Sequence, residues 1–245
     1  DGNAKAPDYV YETSLGKFLS FQSAVLMFSK ILDSYKTANV LPDSILVNPW
    51  WKATNLLGST DYGHVVRLGP YGNVFSPVKI AYIVGVHPLE YASHQAIVDA
   101  IQTYDASLKY CYYIYEVQVT RDAGDYEKGR MNGQLLANAF AVPDIINQGF
   151  QLAIDIHSNV GNWQYTRFVF SPVTGTFPEA IARDIDNRIS WLSYYFPPSQ
   201  TSPQYVTIPL INAGIPAIIY ETYTYESYDV TLAHAREFVQ TVDAR

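Results

Sequence analysis

From about residue 78 onward, the chain alternates short apolar runs with longer segments of helical periodicity. Strands are predicted in VKIAYIVGV (78–86), KYCYYIYEVQV (109–119), FQLAIDI (150–156) and PAIIYET (216–222), with RFVFSPV (167–173) as a further candidate. Helices are predicted between and after them, in YASHQAIVDAIQTYDA, YEKGRMNGQLLANAFAVPDIINQ, PEAIARDIDNRISWLSYYF and VTLAHAREFVQTVDA. This alternation predicts an α/β fold with a mixed, mainly parallel sheet and helices on both faces.

The first 55 residues have a different pattern. The stretch SLGKFLSFQSAVLMFSKILDSY (14–35) places apolar residues at helical intervals, and Ser14 is a candidate N-cap. The stretch ANVLPDSILVNPWW that follows contains two prolines and predicts turns and loop. We therefore expect a helical N-terminal segment, residues 1–55, ahead of a larger domain, residues 56–245.

Composition narrows the classes of partner. A formal net charge of -7, with 16 Lys and Arg against 23 Asp and Glu, argues against nucleic-acid binding. The single cysteine, Cys111, excludes a disulfide within the chain, and no apolar run approaches the roughly 20 residues of a membrane-spanning helix. The 21 tyrosines and low charged fraction favour an extracellular or cell-surface protein.

Polar side chains stand directly at the ends of three predicted strands. They are His87 and Glu90 in GVHPLE, His157 in IDIHSN, and Glu221 in IIYET. Ligand sites of open α/β sheets lie beyond the carboxyl ends of the strands, so these positions are candidate site residues.

Two imidazoles and a carboxylate are a zinc-ligand set that leaves one coordination position for water. His87 and Glu90 can face one ion if the chain turns from strand to helix between them, and His157 would arrive from another strand. Asp155, on the same strand face as His157, is a candidate partner of its imidazole. Glu221 is the candidate that takes a proton from the water and returns it to the leaving nitrogen.

In their order and strand context, GVHPLE, IDIHSN and GIPAIIYET resemble the motifs of the zinc carboxypeptidase and succinylglutamate desuccinylase/aspartoacylase superfamily. The resemblance extends over residues 78–240. It implies a three-layer α/β/α sandwich, Zn²⁺ bound by His87, Glu90 and His157, Glu221 as general base and acid, and hydrolysis of an amide bond in a peptide substrate.

The same resemblance implies arginines that polarise the scissile carbonyl and hold a substrate carboxylate. Arg130 is the best match for the carbonyl-polarising arginine, and Asn132 lies close to it in sequence. The adjacent Asn-Arg pair of typical carboxypeptidases is missing from this region. An endo-acting or isopeptide-cleaving enzyme would not need that clamp on a terminal carboxylate.

Several alternatives stay open. His94 could replace His157 in the ligand set, because it follows Glu90 by one helical turn. Tyr223 is a candidate donor to the reacting carbonyl, and Arg121 is a candidate substrate-binding residue or a solvated surface arginine.

The N-terminal stretch from Ser14 to Asn48 resembles the pseudomurein-binding repeats of methanogenic archaea. This resemblance implies a cell-wall setting, with a pseudomurein peptide as substrate. The alternative function is a non-catalytic cell-wall-binding or adhesion module on a degenerate peptidase scaffold.

Overall fold

A computed structural model describes residues 9–12, 17–20, 28, 31–32, 35–36, 39–41, 54–199 and 201–245. The chain divides into two compact units, residues 1–52 and residues 53–245. Among the described helices, none is long and apolar enough to cross a lipid bilayer.

The smaller unit contains two short strands, β1 (Tyr9–Glu12) and β2 (Lys17–Ser20), which pair antiparallel. The helix predicted from Ser14 is therefore wrong at its start, because residues 17–20 form backbone hydrogen bonds with a neighbouring strand rich in β-prone side chains. Helical backbone is present further on, at residues 28, 31–32 and 35–36. The rest of this predicted helix and residues 42–51 lie outside the described residues.

The larger unit is built on one sheet of eight strands in the order β3-β4-β6-β5-β7-β10-β8-β9. The strands are β3 (Asn55–Thr60), β4 (Gly63–Gly72), β5 (Lys79–Val84), β6 (Cys111–Val119), β7 (Leu152–Asn159), β8 (Phe168–Phe170), β9 (Ser193–Tyr194) and β10 (Ala217–Tyr223). The four central strands β6, β5, β7 and β10 are parallel to one another, whereas β3, β4 and β8 each pair antiparallel with a neighbour.

Helices lie on both faces of the sheet. They are α1 (Tyr91–Tyr104), α2 (Tyr126–Leu136), α3 (Val142–Gln148), α4 (Phe177–Arg188), α5 (Thr207–Asn212) and α6 (Tyr228–Asp243). A π-helical turn, Ala137–Ala141, joins α2 to α3, so residues 126–148 form one helical run as predicted. Asp125 is the N-cap of helix α2, and its side chain accepts hydrogen bonds from the backbone N–H groups of Glu127 and Lys128.

Two apolar cores fill the space between the sheet and its helices. One packs α1, α4 and α6 on one face of the sheet, and the other packs α2, α3 and α5 on the opposite face. Every residue of β7 is buried, as expected for a strand covered on both faces. The prediction of a three-layer α/β/α sandwich with a mixed, mainly parallel sheet is confirmed.

Two features of this unit differ from the prediction. The helix predicted to run to residue 196 ends at Arg188, and Ser193–Tyr194 instead pairs with β8 at the edge of the sheet. Strands β3 and β4 are additional to those predicted. Glycines and a proline interrupt their alternation, and pairing with β6 supplies the hydrogen bonds that make them strands.

Candidate metal centre

The first part of the candidate site lies where β5 ends and α1 begins. Gly85 has a φ of 84°, and a Cβ at this position would lie 2.0 Å from the carbonyl oxygen of Val117, so the turn requires glycine. The chain then forms a short 3-10 helix, Pro88–Glu90, in which the backbone N–H of Glu90 donates to the carbonyl oxygen of His87 at 3.0 Å. This turn brings the side chains of His87 and Glu90 together.

His157 reaches the same point from β7. The Nδ1 atoms of His87 and His157 lie 2.9 and 3.0 Å from the two carboxylate oxygens of Glu90. The centroids of the two imidazole rings are 4.4 Å apart. All three side chains are buried, and one potential ligand atom from each lies within 4.8 Å of the other two. We call these three residues the His-Glu-His trio.

Helix α2 holds the carboxylate of this trio from the side. Arg130 donates from Nη1 to Oε1 of Glu90 at 2.7 Å, and the backbone N–H of Ser158 donates to Oε2 at 3.0 Å. The helix approaches closely because of Gly133, where a Cβ would lie 1.9 Å from the carbonyl oxygen of Val86. The orientation of Glu90 is therefore set by the surrounding protein.

Each imidazole also has a polar neighbour on its outer side. Nε2 of His157 lies 3.0 Å from Oδ2 of Asp155, an ion-pair distance, although their orientation is not that of a hydrogen bond. Nε2 of His87 lies 3.1 Å from the side-chain nitrogen of Gln134. Both Nδ1 atoms thus face the centre of the trio, and both Nε2 atoms face outward.

The electrostatics of the trio favour one positive charge, on His157, between the carboxylates of Glu90 and Asp155. Burial lowers the pKa of His87 to about 4, so this imidazole is neutral and offers a lone pair. Burial also opposes a charge on His157, but the carboxylates of Asp155 and Glu90 raise its pKa well above the ordinary value. Burial alone would raise the pKa of Glu90, whereas the two imidazoles hold it well below its usual range. A metal ion would take the place of the proton on His157.

Glu221 lies on β10, directly opposite His157 in the parallel register with β7. Its side chain is buried, and burial raises its pKa to about 8. The side-chain amide of Asn159 donates to its Oε2 at 3.3 Å. A carboxyl group with a pKa near neutrality is suited to both accepting and returning a proton.

The donor set fits Zn²⁺, which binds imidazole nitrogen and carboxylate oxygen and, in catalytic sites, takes three protein ligands. Asp155 provides a second sign of a cation site. Within the described part of the chain, neither of its buried carboxylate oxygens has a hydrogen-bond partner. A buried carboxylate in this state requires positive charge nearby, which protonated His157 supplies without metal and a metal ion on the trio would supply in its place. The His-Glu-His trio could therefore hold a divalent metal ion.

No protein-family model matches the chain, and no curated protein sequence matches it. Solved structures do match. A metallo-carboxypeptidase from Pseudomonas aeruginosa has a TM-score of 0.53 at 13% identity, over 78% of this chain and 63% of its own. A metallo-carboxypeptidase from Burkholderia cenocepacia has a TM-score of 0.51 at 11% identity, over 80% of this chain and 64% of its own.

A protein from Burkholderia mallei assigned as a carboxypeptidase has a TM-score of 0.54 at 12% identity, over 88% of this chain and 66% of its own. The chain has a metallo-carboxypeptidase-like fold. It matches slightly less than two thirds of the length of these three proteins. At this level of identity the likeness concerns the fold, and the activity has to be argued from the site.

The remaining predicted site residues of this metallo-carboxypeptidase-like unit lie at different places. Tyr223, at the end of β10, lines a cavity of about 110 Å³ together with Glu90 and Ser158. Arg121 donates to the exposed carboxylate of Asp61 at 2.5 Å, and the side-chain amide of Asn132 donates to the carbonyl oxygen of Arg121 at 3.1 Å. Tyr223 thus shares a cavity with one residue of the trio, and substrate-binding roles for Tyr223, Arg121 and Asn132 stay predictions.

His94, the alternative third ligand, has a different partner. Nε2 of His94 forms a hydrogen bond with the carbonyl oxygen of Ile156 at 3.0 Å. His94 therefore supports β7 directly ahead of His157. Within the described residues, the group that could hold a metal ion consists of His87, Glu90 and His157.

Gln134 and Asn159 contact the site but are not among the predicted site residues. Periodicity could have identified both. Asn159 follows His157 by two positions and shares its strand face, while Gln134 follows Arg130 by one helical turn. An amide side chain is neither a preferred zinc ligand nor a proton acceptor, so residue type alone does not single out Gln134 or Asn159.

Proposed function

We propose that the metallo-carboxypeptidase-like unit is a zinc-dependent hydrolase of amide bonds. The convergence of His87, Glu90 and His157, with Glu221 beside them, carries the proposal. Zinc held by the trio would act as a Lewis acid and activate water for attack on a carbonyl carbon.

The side chains around the trio supply the remaining chemistry. Glu221 takes a proton from the attacking water and delivers it to the leaving nitrogen, and Asn159 keeps its carboxylate in place. Arg130 steadies the negative charge that develops on the carbonyl oxygen. Its guanidinium has five N–H donors, and the bond to Glu90 uses one of them.

The arginines favour a substrate without a free carboxylate next to the scissile bond. Such a carboxylate is usually bound by a guanidinium, and every arginine of the chain lies among the described residues. All but Arg236 form an ion pair with a carboxylate: Arg67 with Asp144, Arg121 with Asp61, Arg130 with Glu90, Arg167 with Glu226, Arg183 with Glu179, and Arg188 and Arg245 with Asp184. Arg130 is the one that pairs with a residue of the trio, and its proposed role at the carbonyl oxygen leaves a terminal carboxylate without a second guanidinium on the trio. We therefore favour an internal peptide bond or an isopeptide bond.

We place this substrate in an extracellular or cell-surface setting, as a cell-wall peptide such as that of pseudomurein. The support is the resemblance of the stretch from Ser14 to Asn48 to pseudomurein-binding repeats, together with the tyrosine-rich composition. Hydrolysis of isolated cell-wall peptides, followed by mass spectrometry of the products, would identify the bond that is cleaved.

Metal analysis and activity together test the proposal. Purified protein should contain stoichiometric zinc, His157→Ala should lose it, and His64→Ala serves as a histidine control in β4. Glu221→Gln should retain zinc and lose hydrolysis by roughly 10²- to 10⁴-fold. A metal-free protein that still binds cell walls would favour the non-catalytic module instead. A fully active Glu221→Gln variant would disprove the proton-transfer role.

A further inference from the structure

The two imidazoles of the trio have chemically different outer partners. His157 faces the carboxylate of Asp155, which can only accept a hydrogen bond. His87 faces the carboxamide of Gln134, whose nitrogen lies 3.1 Å from its Nε2. Gln134 is buried, and its Oε1 has no hydrogen-bond partner within the described structure. A buried amide with its nitrogen placed and its oxygen unpaired requires a physical explanation.

The observed orientation suits one tautomer of His87. With the proton on Nδ1, His87 donates to Oε1 of Glu90 at 2.9 Å, and its Nε2 then accepts from the amide nitrogen of Gln134. This arrangement satisfies both nitrogens of the neutral ring.

Metal binding reverses these roles. Nδ1, which faces the centre of the trio, must then offer its lone pair, so the proton of the neutral imidazole lies on Nε2. In the observed orientation, Nε2–H would face the N–H groups of Gln134. Two buried donors facing each other leave both without an acceptor, which is unfavourable.

We propose that Gln134 is a positioning residue whose carboxamide turns over when the metal binds, so that Oε1 accepts a hydrogen bond from Nε2–H of His87. The proton on Nδ1 is released to solvent water and Nε2 takes one from solvent water, so the ring stays neutral and no net proton is exchanged. The rotation also gives the unpaired Oε1 its partner. A carboxamide can serve both tautomers, whereas a carboxylate serves only the metal-bound one and an apolar side chain serves neither.

The position of Gln134 in the fold is suited to this role. Its neighbour Gly133 packs α2 against the carbonyl oxygen of Val86, directly ahead of His87, so the helix holds the carboxamide next to the ring. The inference rests on metal binding by the trio, as in the proposed function, and it does not depend on the reaction that the metal supports.

Two substitutions separate hydrogen bonding from packing. Gln134→Met keeps the approximate volume but cannot bond His87, and it should weaken zinc binding by roughly 10- to 100-fold in a chelator competition assay. Gln134→Glu can accept from Nε2–H and should bind zinc within about threefold of the native protein. Asn138→Ala is the control. It removes a carboxamide side chain of the adjoining π-helical turn, whose hydrogen bond goes to the carbonyl oxygen of Tyr205 and not to His87.

Nitrogen NMR of the histidine rings provides a readout that a packing role would not change. The chain has only 5 histidines, so the signals of His87 can be assigned by substitution. In the native protein we expect Nδ1–H without metal and Nε2–H with zinc. In Gln134→Glu without metal we expect protons on both nitrogens of His87, because a carboxylate then faces each of them, as at His157. With zinc we expect Nε2–H alone, as in the native protein.

Zinc affinity that is unchanged in Gln134→Met would overturn the inference and leave the proposed function standing. The same tautomer of His87 in the native protein with and without zinc would overturn the rotation. Native protein that binds no zinc would instead refute the metal site and the proposed function together.

Discussion

Replacing Glu221 by glutamine removes a carboxylate that the metal-free protein has to bury. Burial raises the pKa of this group to about 8 from an ordinary 4.5, and one pKa unit corresponds to about 1.4 kcal/mol. Between these values the folded protein keeps a proton that the unfolded chain releases, so the free energy of unfolding falls as pH rises. The ionised carboxylate therefore destabilises the metal-free protein by on the order of 5 kcal/mol at pH 8 and above.

Urea unfolding of chelator-treated protein measures this effect. Glu221→Gln should be more stable than the native protein, and the difference should be on the order of 4 kcal/mol larger at about pH 8 than at about pH 5. Glu127→Gln, an exposed substitution on α2, is the matched control and should change stability little at either pH. An equal difference at both pH values would refute the assignment of a buried, raised-pKa carboxyl group to Glu221.

Two further substitutions separate the metal centre from the rest of the fold. Gly133→Ala places a methyl group 1.9 Å from the carbonyl oxygen of Val86. It should lower the free energy of unfolding by about 1 to 3 kcal/mol and weaken zinc binding. Unchanged zinc affinity in a competition assay would contradict this. The buried carboxylate of Asp243 accepts hydrogen bonds from the backbone N–H of Lys109 at 2.9 Å and from the hydroxyl of Tyr112 at 2.8 Å. Asp243→Asn should therefore lower the free energy of unfolding by about 2 kcal/mol in thermal unfolding and leave zinc affinity unaltered.

The centre of the sheet could be predicted from periodicity alone. Strands β5, β6, β7 and β10 are apolar runs separated by helical segments, and a chain with that pattern buries both faces of a parallel sheet. Strand β4 could not be predicted in this way, because Gly69 and Pro70 break its alternation. Its pairing with β6 decides its conformation. The edge strand Ser193–Tyr194 depends in the same way on a partner that is distant in sequence.

The sequence alone determined which residues could form the metal centre. His87 and Glu90 follow a strand, His157 and Glu221 lie within two residues of the end of one, and the carboxyl ends of parallel strands meet at one edge of a sheet. Their residue types are those of a divalent-metal site with a neighbouring proton acceptor, which is the basis of the proposed function.

The tertiary structure decided how these side chains are oriented and which groups hold them. It turned both Nδ1 atoms toward Glu90 and placed Gln134 against His87. These contacts join side chains from separate elements, and their distances depend on how closely α2 packs against the end of β5. A local sequence pattern describes one element at a time, so it contains no information about that spacing.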